Sequence, residues 1–286
     1  MVLVGKITDY LRLIKFSHSV FALPFAFTAA LIAAGGVPPL YQMFWITVAM
    51  VGGRTGAMGM NRILDRKFDA LNPRTRNREI PAGVVKAWEA FIFTAIAFSF
   101  LLLAAYKLNP LCFKIAPLFL FVLVTYSYTK RFTWLCHIVL GIALALAPLG
   151  AWIAIKGTFN ADILPLCFAV MFWVAGFDTL YGLQDMDFDR KEGLFSIPSV
   201  FGVNMSLWIA RMFHLITICL LLSLVPIFKL SGLYLIGVLI ASGLMLYEHL
   251  LVKPNDLSKL DMAFFNMNGY ISITVFVFTL FNYLLP

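Results

Sequence analysis

Stretches of about 20 apolar residues recur along this 286-residue chain and constrain its fold more than any other feature. A helix of about that length crosses the ~30 Å hydrocarbon core of a bilayer. Charged residues make up 13% of the chain, whereas a soluble domain has about 25%. The pattern predicts an all-α, polytopic membrane helix bundle that forms a single domain over residues 1–286. The nine predicted transmembrane helices cover residues 17–36, 41–62, 88–106, 110–129, 133–155, 161–182, 201–227, 231–252 and 262–284.

The basic residues favour one side of the membrane. If the nine helices alternate in direction, the segments on the side of the N-terminus, together with Arg62 at the end of the second helix, hold 16 of the 22 Lys and Arg residues. Because positive residues concentrate on the cytosolic side, we predict a multi-pass protein of a bacterial inner (plasma) membrane with a cytosolic N-terminus. This topology also accounts for the net charge of +8, so membrane lipid rather than nucleic acid is the expected partner. Arg54 and Arg211 lie inside predicted helices and are expected to face the bundle interior.

Two short segments, residues 61–69 and 185–191, each follow a predicted helix and, together with Asp178, hold six of the 14 acidic side chains. By the predicted topology both segments face the cytosol. They share a pattern, since Asn61-x-x-x-Asp65-Arg66-Lys67 is matched by Asp185-x-x-x-Asp189-Arg190-Lys191. The match indicates a diverged internal repeat that brings two similar loops to one central cavity.

The spacing within each segment predicts a metal site. On a continuing helix, residues four positions apart lie on one face, so Asn61, Asp65 and Asp69 form one polar ladder, and Asp185 and Asp189 form a second. Neighbouring carboxylates repel each other, and a cation relieves that repulsion. Magnesium takes one or two carboxylates together with substrate phosphates, and nearby Arg side chains bind phosphate oxygens in bidentate fashion. The two ladders therefore predict a site that holds a diphosphate through Mg²⁺.

These residues resemble the UbiA family of intramembrane prenyltransferases. The family motif Asn-Asp-x-x-Asp-x-x-x-Asp is similar to residues 61–69, in which Arg62 replaces an Asp. Residues 74–83 resemble the family's Arg-Thr-x-Asn-Arg-Pro-x-Pro-x-Gly, with Glu79 in place of a Pro. Residues 178–189 resemble the second acidic motif, and Tyr126-x-x-x-Lys130 resembles the family's Tyr-x-x-x-Lys signature. Nine helices are also the number that the family implies.

The resemblance implies an aromatic polyprenyltransferase that uses Mg²⁺. Its substrates are a polyprenyl diphosphate and a small aromatic acid, and the prenyl group is transferred to a ring carbon of the acid in quinone biosynthesis. Residues 21–26 and 77–81 resemble a 4-hydroxybenzoate-type branch that also includes menaquinone enzymes acting on 1,4-dihydroxy-6-naphthoate, so both acceptors stay open. A cation-coupled membrane transporter is the alternative from another class. It predicts charges at the membrane midplane on broken helices, whereas these carboxylates gather at one face beside Arg and Lys.

The resemblance also implies roles for individual residues. The Mg²⁺ ligands are expected to be Asn61, Asp65, Asp69, Asp185 and Asp189, and the four carboxylates among them are the candidate catalytic residues. Contacts to the diphosphate or the acceptor are expected from Arg12, Lys15, Arg76, Arg78, Tyr126, Lys130, Asp178, Asp187 and Lys191. The histidines have no ligand spacing. His137, His214 and His249 are interpreted as structural, and His18 is a candidate for the acceptor site.

Overall fold

The computed structural model of the protein is built from α-helices. It describes residues 8–10, 12–14, 22–254, 256–257, 260–262 and 266–285. Within these ranges there is no β-strand, only an isolated bridge between Lys253 and Asp256. The longer helices are α1 Ala22–Ala34, α2 Leu40–Leu71, α3 Ala87–Leu108, α4 Pro110–Thr125, α5 Cys136–Lys156, α6 Leu164–Gly182, α7 Met186–Lys191, α8 Ile197–Phe228, α9 Gly232–Leu251 and α10 Asn268–Leu284. Short 3₁₀ helices cover Tyr126–Arg131, Ala161–Ile163 and Leu183–Asp185, and Leu260–Met262 forms a helical turn.

The apolar helices make the chain an integral membrane protein. In the described part of the chain, six helical segments are long and apolar enough to cross a membrane: Ala87–Leu108, Pro110–Arg131, Cys136–Lys156, Ala161–Lys191, Ile197–Phe228 and Gly232–Leu251. Helices α1 and α10 are apolar but shorter. Helix α2 is long and carries Arg54 together with the first acidic segment. Every predicted span overlaps one of these helices, and the crossing of the membrane by all nine stays a prediction.

Helix α2 carries the first acidic segment beyond its predicted end. It has 32 residues, which at 1.5 Å per residue gives a length of about 48 Å, longer than the ~30 Å core of a bilayer. The helix runs to Leu71 rather than ending at residue 62. Asn61, Asp65 and Asp69 therefore lie on one continuous helix, which confirms the helical spacing expected of the first ladder.

The second acidic segment differs from the continuous ladder that the spacing predicts. Helix α6 ends at Gly182, the residues Leu183–Asp185 form a 3₁₀ turn, and α7 begins at Met186. A 3₁₀ turn has 3.0 residues per turn instead of 3.6, so it changes the direction in which later side chains point. The turn is held in place by Asn72 and Arg74, which both donate to the carboxylate of Asp185. Asp185 consequently lies in the 3₁₀ turn and Asp189 in α7, so the second ladder does not follow one continuing α-helix.

Close helix contacts fix the positions of the two segments. Helix α2 packs along α3, while α6 packs between α5 and α8. Gly52 of α2 lies against the backbone of α3, since a Cβ atom there would be 2.7 Å from the carbonyl oxygen of Ala97. Gly56, one turn later, faces the ring of Phe98. Small residues allow two helices to approach this closely, so the Gly52-x-x-x-Gly56 spacing sets the position of α2 and of the ladder at its end.

Candidate active site

Both acidic segments line one cavity. Its walls come from α2, the loop that follows it, the 3₁₀ turn Tyr126–Arg131, and helices α5, α6 and α7. The cavity has an open volume of about 1430 Å³, which includes the part that opens to solvent. The predicted site residues in its walls are Asn61, Asp65, Asp69, Arg78, Tyr126, Lys130, Asp178, Asp185 and Asp189. The fold thus brings together residues that are more than a hundred positions apart in the sequence.

Asn61 and Asp65 connect α2 to the 3₁₀ turn Tyr126–Arg131. The side-chain amide of Asn61 donates to Asp65 Oδ2 at 2.8 Å and to Ser127 Oγ at 3.2 Å. Asp65 is 7% exposed, and its Oδ1 accepts a bond from Arg131 Nη2 at 3.3 Å. Arg131 also donates to the carbonyl oxygen of Leu64 at 2.9 Å. Asn61, which was predicted to be a Mg²⁺ ligand together with Asp65, thus donates a hydrogen bond to the carboxylate of Asp65.

Asp69 has one satisfied and one unsatisfied carboxylate oxygen. Arg78, in the loop after α2, donates from Nη1 to Asp69 Oδ1 at 2.6 Å. The other oxygen, Oδ2, is buried and has no hydrogen-bond partner. Buried polar atoms in proteins almost always have a partner, and an exception calls for an explanation such as a missing ion. A cation bound at Asp69 would satisfy this oxygen.

Asp185 is held by an arginine and an asparagine from the loop after α2. Arg74 donates to both carboxylate oxygens, with Nε 2.9 Å from Oδ1, and Asn72 Nδ2 donates to Oδ1 at 2.8 Å. Arg74 Nη1 also donates to the hydroxyl of Tyr181 at 3.0 Å. Burial lowers the pKa of Arg74, but the hydrogen bonds and charge of Asp185 outweigh burial and raise that pKa above its ordinary value. This bidentate pair ties the loop after α2 to the second acidic segment.

Asp189 faces the lysine of the 3₁₀ turn. Lys130 Nζ lies 3.5 Å from Asp189 Oδ1, at the distance of an ion pair. Asp189 is 3% exposed, and this Oδ1 atom has no hydrogen-bond partner. The backbone of Lys130 is fixed as well, because its carbonyl oxygen accepts a bond from Phe195 N at 2.7 Å. Asp189 therefore offers a second buried carboxylate oxygen that a cation could satisfy.

The four carboxylates are each paired with a separate cationic side chain. In the described ranges, no three side chains of His, Cys, Asp or Glu converge closely enough to form a metal site by themselves. Magnesium takes one or two carboxylates and completes its octahedron with water and substrate phosphates. Asp69 Oδ2 and Asp189 Oδ1 have no hydrogen-bond partner. The donor set therefore fits Mg²⁺ ions that each use one or two of these carboxylates, and it does not form a three-carboxylate cage.

Asp178 is bound to a histidine of the neighbouring helix. His137 Nδ1, on α5, lies 2.7 Å from Asp178 Oδ2, on α6. Both residues line the cavity, although the sequence pattern alone predicts a structural role for His137. The sequence identifies Asp178 as a site residue, because it belongs to the second acidic motif. It does not identify His137, which lies 41 residues earlier in the chain. His214 and His249, also predicted to be structural, contact each other at 3.0 Å between Nδ1 and Nε2.

Two arginines of α2 also line the cavity. Arg54, which was expected to face the interior, does so, and its Nε atom is buried without a hydrogen-bond partner. Arg62, the residue that departs from the family motif, is 4% exposed and donates from Nε to the carbonyl oxygen of Leu13 at 3.2 Å. This bond ties the segment before α1 to the helix of the first ladder. The sequence signal for Arg54 is a charge inside an apolar span.

Several predicted contact residues lie outside the cavity walls. Arg12, Arg76, Asp187 and Lys191 are exposed and do not belong to the lining residues. Their contact with the diphosphate or the acceptor stays a prediction. Lys15 and His18 lie outside the described residues.

A second, apolar cavity adjoins the first. It lies among α2, α3, α4 and α5 and has an open volume of about 1070 Å³. Its walls are mostly Ala, Leu and Ile side chains. The residues that line both cavities are Arg54, Met58, Tyr126, Leu140 and Leu144. A molecule with an ionic head and a long apolar tail would fit across this shared wall.

The fold and the cavities define an integral membrane protein in which a charged cavity adjoins an apolar one. The model of the UbiA prenyltransferase family matches residues 22–270, most of the chain. The chain belongs to the UbiA prenyltransferase family, and it is a prenyltransferase. The family assignment based on the two acidic motifs is thereby confirmed.

Similar proteins agree with this assignment. A 4-hydroxybenzoate octaprenyltransferase of Vibrio cholerae serotype O1 (strain O395) is 31% identical over 248 residues, 86% of each chain. The apo structure of a UbiA homolog from Aeropyrum pernix K1 is 29% identical, with a TM-score of 0.84 over 91% of this chain and 96% of that one. A UbiA homolog from Archaeoglobus fulgidus bound to DMAPP and Mg²⁺ is 20% identical, with a TM-score of 0.61 over 93% and 99%, and shares the fold.

Proposed function

We propose that the protein transfers a polyprenyl group from polyprenyl diphosphate to a ring carbon of an aromatic acid of the 4-hydroxybenzoate type, in quinone biosynthesis. The observation that carries this proposal is the junction of the two cavities, in which charged residues meet an apolar space at Arg54 and Tyr126. The name of the Vibrio cholerae relative supports the same acceptor. Prenylation of 1,4-dihydroxy-6-naphthoate is the alternative within the same reaction class, while the family assignment favours both over a transporter.

The charged cavity binds the diphosphate in this proposal. Asn61, Asp65, Asp69, Asp185 and Asp189 would hold Mg²⁺, which when bound stabilises the negative charge of the leaving group. Arg78 and Lys130 lie beside these carboxylates. Their N–H groups contact phosphate oxygens and add to the stabilisation of the departing diphosphate. The predicted roles of Arg12, Lys15, Arg76, Asp187 and Lys191 are kept as further contacts to the same group.

Arg54 and Asp178 bind the acceptor. The guanidinium of Arg54 has an unpartnered buried Nε, and a planar guanidinium is suited to bind a carboxylate in bidentate fashion. Asp178 lines the same cavity and accepts a hydrogen bond from the ring hydroxyl, which increases the electron density of the ring. An acid with a carboxylate at one end and a hydroxyl at the other can contact both residues.

The apolar cavity holds the isoprenoid chain. Apart from Arg54, the residues that line it, such as Ala147 and Ala151, carry no charge. Transfer of a hydrocarbon tail from water into such surroundings is favourable. The walls also limit the access of water to the carbon from which the diphosphate departs. This restriction favours attack by the ring over hydrolysis.

The proposal extends to the arrangement in the membrane. The recurring apolar stretches support nine transmembrane helices in a single domain over residues 1–286, and the distribution of basic residues supports a cytosolic N-terminus. Both acidic segments then open to the cytosol of a bacterial cell, where soluble aromatic acids are available. Cysteine accessibility at residues of the loops after α2 and α6 in intact cells tests this orientation.

The reaction is tested with purified protein in liposomes and radiolabelled farnesyl diphosphate. The acceptors are 4-hydroxybenzoate and 1,4-dihydroxy-6-naphthoate, each with Mg²⁺ and with EDTA. We expect a labelled product that requires Mg²⁺ and one of the acids. Asp69→Asn is expected to abolish the product, while Asp162→Asn serves as the matched control because Asp162 is exposed and lies in the turn Ala161–Ile163, away from the cavity walls. If neither acid gives a labelled product, the proposal is wrong. If only 1,4-dihydroxy-6-naphthoate gives a product, it is the acceptor.

A further inference from the structure

His137 and Asp178 form a buried pair at the edge of the charged cavity. The 2.7 Å bond joins His137 Nδ1 to Asp178 Oδ2. The His137 side chain is 5% exposed and that of Asp178 is 24% exposed. Both residues line the cavity, but the aspartate is the more accessible member of the pair, and most of the histidine ring is buried.

The imidazole of His137 has little room to move. A Cβ atom added at Gly182 would be 3.1 Å from His137 Cε1 and 3.6 Å from Nε2, so the ring packs directly against the backbone at the end of α6. The ring of Pro198 closes the same space, 3.5 Å from that Cβ position. The neighbouring Cys136 is fixed by a bond from Sγ to the carbonyl oxygen of Phe195 at 3.4 Å. Packing that locks a side chain in this way is typical of residues that orient another group.

The donor and acceptor roles follow from the chemistry of the pair. An ionised carboxylate can only accept hydrogen bonds, so Nδ1 of His137 carries the hydrogen when Asp178 is ionised. This bond occupies Oδ2 and restricts the rotation of the carboxylate. The other oxygen, Oδ1, can then accept a hydrogen bond from a molecule in the cavity.

Building on the prenyl transfer proposed above, we infer that His137 is a positioning residue that holds Asp178 in the orientation needed to accept the proton of the acceptor's ring hydroxyl. The hydroxyl proton passes to Asp178 Oδ1. An electron pair of the ring forms the new bond to C1 of the prenyl group, and the C1–O bond breaks with its electron pair going to the diphosphate. The proton of the alkylated ring carbon then leaves with the diphosphate, and Asp178 returns its proton to the ring oxygen.

Three substitutions of His137 separate positioning from packing. His137→Asn offers a side-chain N–H near the place of Nδ1, His137→Gln offers one near the place of Nε2, and His137→Leu offers none. We expect His137→Leu and His137→Gln to lower kcat with 4-hydroxybenzoate by about 10- to 100-fold, the usual loss for an outer orienting partner. His137→Asn is expected to retain at least several-fold more activity than His137→Gln. The KM for farnesyl diphosphate should stay unchanged in all three.

A second readout tests the proton transfer itself. The ring hydroxyl of 3-fluoro-4-hydroxybenzoate is more acidic than that of 4-hydroxybenzoate and depends less on a well-oriented base. The ratio of wild-type to His137→Leu activity should therefore be smaller for the fluorinated acid. If the wild type is active and the Asn and Gln variants lose the same kcat with both acids, the inference is wrong. It is also wrong if no variant loses activity. A wild type that forms no product overturns the prenyl transfer proposal and this inference with it.

Discussion

The contact between α2 and α3 leads to a prediction that connects packing with catalysis. A Cβ atom at Gly52 would lie 2.7 Å from the carbonyl oxygen of Ala97 and 3.0 Å from the backbone nitrogen of Leu101. Ordinary contacts of a Cβ atom begin at 3.4 Å. Because both neighbours are backbone atoms, Gly52→Ala requires the two helices to separate by the difference between 3.4 Å and 2.7 Å, about 0.7 Å.

A matched glycine isolates the cost of that separation. Gly243 lies inside α9, and a Cβ atom there meets nothing within 4 Å. Both Gly→Ala substitutions share the helix-propensity gain of up to about 1 kcal/mol, so the difference between them reports the clash alone. Overpacking of this kind costs about 1–3 kcal/mol, and at about 2–4 °C per kcal/mol for a larger domain the Tm of Gly52→Ala should be several degrees below that of Gly243→Ala.

The same displacement should reach the active site. Asn61 lies nine residues after Gly52 on α2, about 13.5 Å along a rigid helix, so a shift at Gly52 also moves the first ladder. Misplacement of catalytic groups by about 1 Å can cost about 10²-fold in rate, and we expect a loss of about 10-fold for Gly52→Ala. The measurements are thermal unfolding in detergent and kcat in liposomes. If the two alanine variants have the same Tm and the same kcat, the proposed coupling between this contact and the site is wrong.

Two further predictions concern the two cavities. Arg74→Met removes two hydrogen-bond donors from Asp185 and leaves the bond from Asn72 in place. We expect at least a 10-fold lower kcat in the prenyl transfer assay and a nearly unchanged KM for the acceptor. A change in the acceptor KM without a change in kcat would contradict the assignment of this pair to the diphosphate side. Ala147→Trp fills part of the apolar cavity. Because each CH₂ group that is excluded from the cavity loses about 0.8 kcal/mol of burial free energy, the KM for an octaprenyl diphosphate should rise several-fold more than the KM for geranyl diphosphate. Equal changes for both chain lengths would exclude this cavity as the binding site of the isoprenoid tail.

The positions of the helices and of the first ladder could be predicted because they depend on local patterns. Runs of apolar residues define the membrane helices, and the spacing of four between Asn61, Asp65 and Asp69 matches the period of an α-helix. The same rule fails for Asp185 and Asp189 because the chain forms the 3₁₀ turn Leu183–Asp185 before α7 begins. That turn is held by tertiary hydrogen bonds, and nothing in the local spacing signals them.

The partners of the carboxylates were beyond the reach of the sequence for the same reason. Arg131 and Arg74 each bind an aspartate from another segment, whereas the sequence pattern predicts contacts of basic loop residues with phosphate oxygens or with lipid head groups. The pairing of His137 with Asp178 also joins two different helices. Such contacts depend on how α2, α5 and α6 pack. The identity of a single charged or polar residue does not indicate which helix it will face.

The wall shared by the charged and apolar cavities has a consequence for how a lipid-like substrate is oriented. A hydrocarbon chain that enters the apolar cavity from the bilayer stays in apolar surroundings. Its anionic end meets cationic side chains at Arg54 and in the charged cavity that begins there. Solubility alone therefore points the reactive carbon towards the border between the two compartments before any specific contact forms. Once joined to the ring, the chain already lies in a greasy environment, so the product can return to the membrane without crossing water.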